Sequence, residues 1–230
     1  MTPIREEIVH VKGHPKNIII FLHGYIDNAD VVDNKIQHML DLLDDVAICI
    51  PQSPYSCEIH PGKKQWYSMH RFDPNDDRKT VATMEQSAAI YDKMGPGLME
   101  AHSYLKPYIE TCLNEYNLTE DNLFICGFSQ GAMLAIYTAL LCEQKIKGCI
   151  SFSGMVTPHI YLMKNSLSTP DMFLIHGSAD NLVRYEALDF TKNTLEKIGC
   201  KVETLTLPNE NHRITEKGVK AATKFIKKKN

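Results

Sequence analysis

One stretch of the chain, residues 122–142, constrains the fold most, because three local patterns follow one another in it without a gap. An apolar run of strand length, residues 123–126, leads into Gly-Phe-Ser-Gln-Gly, and a helical pattern rich in Ala and Leu follows. A strand that feeds a helix through a G-x-S-x-G turn projects the serine hydroxyl out of the sheet. The flanking Gly127 and Gly131 avoid collisions with neighbouring backbone. The stretch therefore predicts Ser129 as a nucleophile beside helix N-terminal amides, which suit a developing oxyanion.

Strand-like and helical patterns alternate along the chain, which predicts an α/β fold with a mostly parallel central sheet and helices on both faces. Several of the strand-like runs are continuously apolar, as in strands that are buried on both faces. The predicted strands are 4–11, 17–22, 46–50, 123–126, 148–153, 171–175 and 201–207, and the predicted helices are 29–43, 83–94, 98–116, the segment after Ser129, 184–198 and 215–228. Because the chain has 230 residues and no internal repeat, we expect one domain over 1–230.

Two longer segments have no sustained period and are predicted as pocket-lining loops. Residues 51–82 carry four prolines and the tryptophan Trp66. Long loops inside compact domains are often lids or binding loops. Residues 154–170 contain several large apolar side chains, Met155 among them, and could line a pocket or equally be pinned to the core. We expect the substrate pocket, including Met155, between these two loops.

Charge and cysteine content exclude several classes of function. The formal net charge of −3 argues against nucleic acid or an anionic membrane as the main partner. No run approaches the length of a membrane span, so we expect no stable membrane insertion. The seven cysteines form no C-x-x-C pair and several lie in apolar runs, which predicts reduced core residues and a cytoplasmic location. The His and Cys spacings do not fit a metal site. The sequence has no phosphate-binding glycine loop and no dinucleotide-binding motif, so we expect neither a metal nor a cofactor.

Ser129 requires a base and an orienting acid, and the chain supplies both in the required order. Where a serine stands on a strand-to-helix turn of this kind, the acid and then the histidine follow on loops after later strands. Asp180 lies just after the predicted strand 171–175. His212 follows the predicted strand 201–207 and is the only histidine after Asp180. We therefore predict a triad of Ser129, His212 and Asp180.

Other residues offer alternatives to parts of this triad. Asp180 could cap a helix that begins near Leu182. Glu210 is a second candidate acid, although it is close to His212 in the chain. His23 precedes the serine and His176 ends a strand, so both are predicted as turn residues.

An oxyanion hole needs two N–H donors that converge on one point. The amide of Gln130, directly after the nucleophile, is one candidate. The other is expected on the loop after the first buried strand, where the sequence is Leu-His-Gly-Tyr, and the Tyr25 amide is our choice.

Six short motifs occur in a characteristic order over nearly the whole chain. They are Leu22-His-Gly24, Pro51-Gln-Ser-Pro54, Trp66-Tyr67, Gly127-Phe-Ser-Gln-Gly131, His176-Gly-Ser-Ala-Asp180 with Val183, and the late His212. Together they resemble the phospholipase/carboxylesterase family of small α/β-hydrolases, which includes acyl-protein thioesterases, lysophospholipases and bacterial carboxylesterases. The resemblance implies the α/β-hydrolase fold, the same triad and oxyanion amides, and a position for Trp66 near the acyl pocket.

Three positions depart from the family pattern. Ile26-Asp27 stands where a Gly-Asp pair is usual, Ala132 replaces a glycine, and the histidine loop reads Asn209-Glu-Asn-His-Arg213 without glycine. The bend of the oxyanion loop and the approach of His212 to Ser129 are the features that these departures affect.

The function predicted from these residues is hydrolysis of carboxylic esters with short to medium acyl chains, through an acyl-enzyme. An acyl-protein thioesterase or lysophospholipase with the same triad is the alternative within the class. A ligand binder with an inactive hydrolase fold is the alternative outside it, although an intact triad counts against that. We expect a small-molecule ester or acylated substrate as the partner, and a monomer or homodimer.

Overall fold

The computed structural model describes residues 4–229. The strands are β1 (Glu7–Lys12), β2 (Asn17–Leu22), β3 (Val46–Pro51), β4 (Tyr55–Ser56), β5 (Lys64–Gln65), β6 (Leu123–Phe128), β7 (Gly148–Phe152), β8 (Met172–Gly177) and β9 (Val202–Leu207). The helices are α1 (Ala29–Leu42), α2 (Met84–Asp92), α3 (Gly95–Glu115), α4 (Gln130–Leu141), α5 (His159–Asn165), α6 (Ala187–Ile198) and α7 (Glu216–Lys227). Short 3₁₀ turns lie at Asp77–Lys79 and Glu120–Asn122. None of the helices in this range is long and apolar enough to cross a membrane.

A seven-stranded sheet forms the centre of the protein, with the strand order β1-β3-β2-β6-β7-β8-β9. Every neighbouring pair is parallel except β1 and β3, so β1 is an antiparallel edge strand. The strands β4 and β5 form a separate small hairpin. The predicted mostly parallel α/β sheet is therefore confirmed. Since the carboxyl ends of parallel strands meet at one edge of the sheet, the loops after β2, β6, β8 and β9 converge there.

Two apolar layers cover the faces of the sheet, and β2 shows how the sequence builds them. Its side chains alternate between the faces, with Ile18 and Ile20 in one buried cluster and Ile19 and Phe21 in the other. Helices α1 and α7 cover the second cluster, whereas α3, α4 and α6 cover the first. Each fully buried side chain of this size contributes about 1.5–3 kcal/mol. A continuously apolar strand is thus explained by burial on both faces.

The observed elements differ from the predicted ones at several ends, among them the starts of β1 and α6, and in the following respects. Helix α3 begins at Gly95 and not near residue 98, because Pro96 in its first turn is compatible with a helix start. The segment 154–170 is not wholly irregular, since it contains α5, a helix of only seven residues and too short to show a clear period. His176 is not a turn residue but lies inside β8, where it is 1% exposed. The interpretation of the chain as one domain stays a prediction.

Candidate active site

Ser129 stands in the turn between β6 and α4 in a strained backbone conformation, with φ of 54° and ψ of −117°. Its amide donates a hydrogen bond of 2.9 Å to the Phe152 carbonyl, which ties the turn to β7. A Cβ atom on Gly127 would come within 3.0 Å of the Gly131 backbone, and one on Gly131 would come within 3.0 Å of the His23 carbonyl. Glycine is required at both positions because the first turn of α4 packs directly against neighbouring backbone.

The loops after β6, β8 and β9 bring the three predicted triad side chains together. His212 Nε2 lies 2.8 Å from Ser129 Oγ, and His212 Nδ1 lies 2.7 Å from Asp180 Oδ2. The Asp180 side chain is fully buried and that of His212 is 10% exposed. The Phe128 ring packs on the imidazole with its centroid 4.8 Å away. The arrangement lets the imidazole exchange a proton with the hydroxyl while the buried carboxylate orients it.

Asp180 uses its two carboxylate oxygens for different purposes. Oδ1 accepts hydrogen bonds of 3.0 Å from the amides of Leu182 and Val183, whereas Oδ2 faces His212. Helix α6 begins only at Ala187, so Asp180 stabilises a turn and does not cap a helix. The other candidate acid, Glu210, accepts a hydrogen bond of 2.7 Å from Arg213 Nε. Of the two acids, only Asp180 contacts the imidazole.

His176 is a residue of this site that sequence reasoning missed. Its Nε2 lies 2.9 Å from the Val183 carbonyl and 3.4 Å from Asp180 Oδ2, so it faces both the loop and the buried acid. Burial raises the pKa of Asp180, but hydrogen bonds from His176 and His212 outweigh burial and hold that pKa well below its usual range. The available signal was the position of His176 four residues before Asp180, at the end of a buried strand.

The loop that carries His212 lacks glycine, and the neighbouring strand supplies the space it needs. A Cβ atom on Gly177 would come within 3.0 Å of the Glu210 carbonyl, so the close approach depends on β8. The Glu210 carbonyl accepts a hydrogen bond of 2.9 Å from the Ala179 amide. Asn209 takes a left-handed conformation with φ of 59°, which asparagine tolerates better than most residues. The departure from the family pattern therefore does not prevent His212 from reaching Ser129.

The two predicted oxyanion residues, Tyr25 and Gln130, both line the cavity above Ser129. Within residues 4–229, neither of their amides donates a hydrogen bond to a protein acceptor. Gln130 is the first residue of α4, where helix N–H groups have no partner inside the helix. Ile26 stands next to Tyr25 at φ of 59°, and its amide donates to the Lys64 carbonyl at 3.0 Å. The family departure at Ile26 is thus accommodated by a left-handed turn that β5 holds.

The side chain of Gln130 has a second use, which explains the position of Trp66. Its Oε1 accepts a hydrogen bond from the Trp66 amide and its Nε2 donates to the Tyr67 carbonyl, both at 2.8 Å. The Trp66 indole donates to the His23 carbonyl at 2.8 Å and is fully buried. Trp66 therefore connects the segment 64–67, to which it belongs, with the loop after β2 that carries Tyr25, and it does so from the buried side of that loop.

His23 lies under the oxyanion loop as a neutral imidazole. Its Nε2 accepts a hydrogen bond of 3.2 Å from the Ser53 amide, and its Nδ1 donates to the Gly24 carbonyl at 2.8 Å. Burial lowers the pKa of His23 to about 4. His23 supports the turn, and it contacts neither Ser129 nor Asp180.

A cavity of about 460 Å³ opens beside Ser129, His212 and Gln130. Its wall combines apolar side chains with a charged group; the apolar members include Tyr25, Met69, Phe128, Met133, Leu182 and Val183, and the charged members are Asp73, Asp76, Arg78 and Lys79. Residues 51–82 supply much of this wall. Trp66 and Met155 were expected in the pocket, but both are buried in the core and do not line the cavity, and neither does any residue of 154–170. No group of three or more His, Cys, Asp or Glu side chains in 4–229 could hold a metal ion.

The two hydrogen bonds that the Gln130 side chain makes with the Trp66 amide and the Tyr67 carbonyl give a first prediction. Gln130→Met keeps the shape of the side chain but leaves the Trp66 amide and the Tyr67 carbonyl buried without partners. Each unsatisfied group costs about 1–3 kcal/mol, so for the two groups we expect the free energy of unfolding to fall by about 2–6 kcal/mol in urea titrations. Gln144→Met, at an exposed position, is the control and should change it by less than about 0.5 kcal/mol. Equal stability of the two variants would contradict a stabilising role for the Gln130 side-chain hydrogen bonds.

Comparison with known proteins identifies the family of this chain. The sequence model of the phospholipase/carboxylesterase family matches residues 4–230. The chain belongs to this family. The resemblance inferred from the motifs is confirmed, and so is the class of enzyme, a hydrolase of carboxylic esters.

Individual relatives of this family member carry esterase and thioesterase names. Acyl-protein thioesterase 1 of Debaryomyces hansenii is 25% identical over 228 residues, which cover 92% of this chain and 90% of the yeast protein. Acyl-protein thioesterase 1 homolog 1 of Dictyostelium discoideum is 30% identical over 131 residues, or 56% of this chain and 58% of that one. A probable carboxylesterase of Oryza sativa is 28% identical over 188 residues, 77% of this chain and 62% of that one.

Solved structures of the same fold cover nearly the whole chain. The crystal structure of esterase PE8 has a TM-score of 0.83 at 23% identity and covers 97% of this chain and 98% of that one. The crystal structure of SOBER1 from Arabidopsis thaliana has a TM-score of 0.73 at 22% identity, with 93% and 98% covered. At these identities the likeness establishes the fold alone.

Proposed function

We propose that this family member hydrolyses carboxylic esters of short to medium acyl chains, with Ser129 as nucleophile, His212 as general base and acid, and Asp180 as the orienting acid. The observation that carries the proposal is the continuous relay from Ser129 Oγ through His212 to Asp180, with steps of 2.8 and 2.7 Å. A nucleophile, base and acid in hydrogen-bond reach of one another are the signature of covalent acyl transfer.

In the first half of the reaction, His212 Nε2 takes the proton of Ser129 as Oγ attacks the acyl carbon. The carbonyl oxygen becomes an oxyanion, which the amides of Tyr25 and Gln130 stabilise. The imidazolium then gives its proton to the leaving alkoxide, and the acyl group stays on Oγ. In the second half, His212 takes a proton from water, the resulting hydroxide attacks the acyl-enzyme, and Ser129 recovers its proton from His212.

Asp180 fixes the imidazole tautomer with Nδ1 protonated, so that Nε2 is free to accept the serine proton. His176 is a positioning residue behind it. By contacting both Asp180 Oδ2 and the Val183 carbonyl, it holds the carboxylate and its turn in one orientation. The low pKa of Asp180 supports this role, because a carboxylate that stays ionised stabilises the imidazolium of the transition state.

A thioester is the second candidate substrate, and the full-length alignment with a relative named acyl-protein thioesterase favours it. The triad would act in the same way on a thioester, since only the leaving group differs. The leaving group is therefore a question for direct comparison of matched substrates.

The experiment that tests the function is hydrolysis of p-nitrophenyl esters of increasing acyl length beside acyl thioesters of the same acids. We expect saturable hydrolysis and covalent labelling of Ser129 by an alkyl fluorophosphonate, read by mass spectrometry of the labelled peptide. The ratio of kcat/KM for each ester and thioester pair decides between the two leaving groups. Inert protein across both panels, with no label on Ser129, would refute the proposal in favour of an inactive ligand binder.

A further inference from the structure

The wall of the catalytic cavity contains a buried cation that the reaction itself does not use. Arg78 lines the cavity, and its side chain is only 6% exposed. Its Nη1 lies 2.5 Å from Asp73 Oδ2 and 2.7 Å from Asp76 Oδ1. The guanidinium carbon stands 6.0 Å from the centre of the Tyr91 ring. Because a purely apolar acyl cavity would not tolerate such a group, its presence points to a polar part of the substrate.

The protein contacts of Arg78 do not use all of its hydrogen-bond donors. One nitrogen, Nη1, makes both aspartate contacts, and the guanidinium lies near the Tyr91 ring. A guanidinium has five N–H donors in a fixed planar fork. The carboxylate contacts of Arg78 involve Nη1 alone, and because Arg78 lines the cavity, its other N–H groups are available to a ligand there.

The charges around Arg78 indicate which kind of group it can bind. Asp73, Asp76, Arg78 and Lys79 sum to zero, and Lys79 Nζ lies 2.8 Å from Asp76 Oδ2. An added carboxylate would meet two aspartates and a cation that is already paired. An alkyl chain would cover the free N–H groups without replacing their hydrogen bonds to water. An uncharged oxygen, as in a ketone, hydroxyl or amide, satisfies them without adding charge.

We propose that Arg78 is a specificity-determining residue that donates hydrogen bonds to an uncharged oxygen in the acyl group of the substrate. The proposal rests on the proposed ester hydrolysis and names the class of acyl group that the site selects. The acyl carbon reacts at Ser129, and the oxygen lies farther along the acyl group, at the 73–79 end of the cavity.

The test is a series of p-nitrophenyl keto esters in which the ketone moves one carbon at a time along the acyl chain. Each is paired with the ester in which a methylidene group (C=CH₂) replaces the ketone C=O, so that this carbon stays planar and the two acyl groups have nearly the same shape. A hydrogen bond to a charged group contributes about 1.5–3 kcal/mol, so we expect the wild type to prefer the keto ester at one position by about tenfold or more in kcat/KM. We expect Arg78→Met to remove that preference.

Arg71→Met is the matched control, because Arg71 is a nearby arginine that does not line the cavity, and it should keep the preference. A second variant guards against misfolding, since Arg78→Met leaves the buried Asp73 without its partner. Asp73→Asn combined with Arg78→Met removes both charges and retains an oxygen to accept the Asp77 amide, which donates to Asp73 at 2.8 Å. This double variant should fold, hydrolyse both esters and show no preference.

Two results would overturn the inference while the proposed function stands. The wild type could hydrolyse each keto ester and its methylidene counterpart at equal rates, or the preference could persist in the folded double variant. Failure of the proposed function gives a different result, in which the wild type hydrolyses none of the esters above the rate of Ser129→Ala.

Discussion

Ser129→Ala is expected to lower kcat for a p-nitrophenyl ester by about 10⁴- to 10⁶-fold. The hydroxyl is the only group of the relay that can form a bond to the acyl carbon, and His212 has no other nucleophile at 2.8 Å. The free energy of unfolding should stay within about 0.5 kcal/mol of the wild type, because the substitution removes only one heavy atom beside the cavity. Alanine is also as small as serine and can take the same backbone conformation at this position. Stopped assays at substrate saturation measure the loss in kcat, and urea titrations measure stability.

The control for this variant is Ser103→Ala, on α3 and outside the catalytic cavity, which should hydrolyse the ester at the wild-type rate. Fluorophosphonate labelling gives an independent readout, since the label should disappear in Ser129→Ala and persist in Ser103→Ala. More than about one per cent of the wild-type kcat remaining in Ser129→Ala would show that another group carries the reaction.

Asp180→Asn is expected to lower kcat by about 10⁴-fold with a small change in KM. An amide in place of the carboxylate can turn its NH₂ group towards His212, which favours the tautomer with Nε2 protonated and unable to accept the serine proton. Loss of the negative charge also removes the stabilisation of the imidazolium. Steady-state kinetics on the same p-nitrophenyl ester give both constants.

The same variant has an expected pH signature in stability. Because the folded-state pKa of Asp180 lies below the usual value near 4, its stabilisation is present above that pH and is lost as pH falls through the folded-state pKa. The stability difference between the wild type and Asp180→Asn should therefore shrink below about pH 4. Glu210→Gln is the control for activity, and a large loss in Glu210→Gln with none in Asp180→Asn would assign the acid to Glu210.

The elements that the sequence predicts best are those whose pattern depends on burial. Strand β2 was predicted at its observed bounds, because all six residues are buried and the five that follow Asn17 are apolar. The start of α3 was wrong by three residues, because a Gly-Pro-Gly run predicts a break whereas the first turn of a helix accepts proline. Local pattern thus predicts buried elements better than their ends.

The members of the candidate site could be predicted where chain order carries information and not where only tertiary contacts do. Ser129, Asp180 and His212 stand in an order fixed by strands that meet at one edge, so one motif leads to the other two. Trp66 was expected at the acyl pocket from the family resemblance and does not line the cavity, because a shared motif does not distinguish an aromatic residue that lines a pocket from one buried under it. The role of Arg78 depends on its burial beside the cavity, and no local pattern of charge indicates that.

The proposed catalytic relay and the wall of the cavity beside it come from separate parts of the chain. Ser129, Asp180 and His212 lie after β6, β8 and β9, whereas much of the cavity wall comes from the excursion between β3 and α2. Mutations in that segment can therefore alter which acyl group is accepted without changing Ser129, Asp180 or His212. For a protein engineer, residues 68–82 are therefore a segment open to diversification, provided that the buried Asp73–Arg78 pair and the hydrogen bonds of Gln130 to Trp66 and Tyr67 are kept.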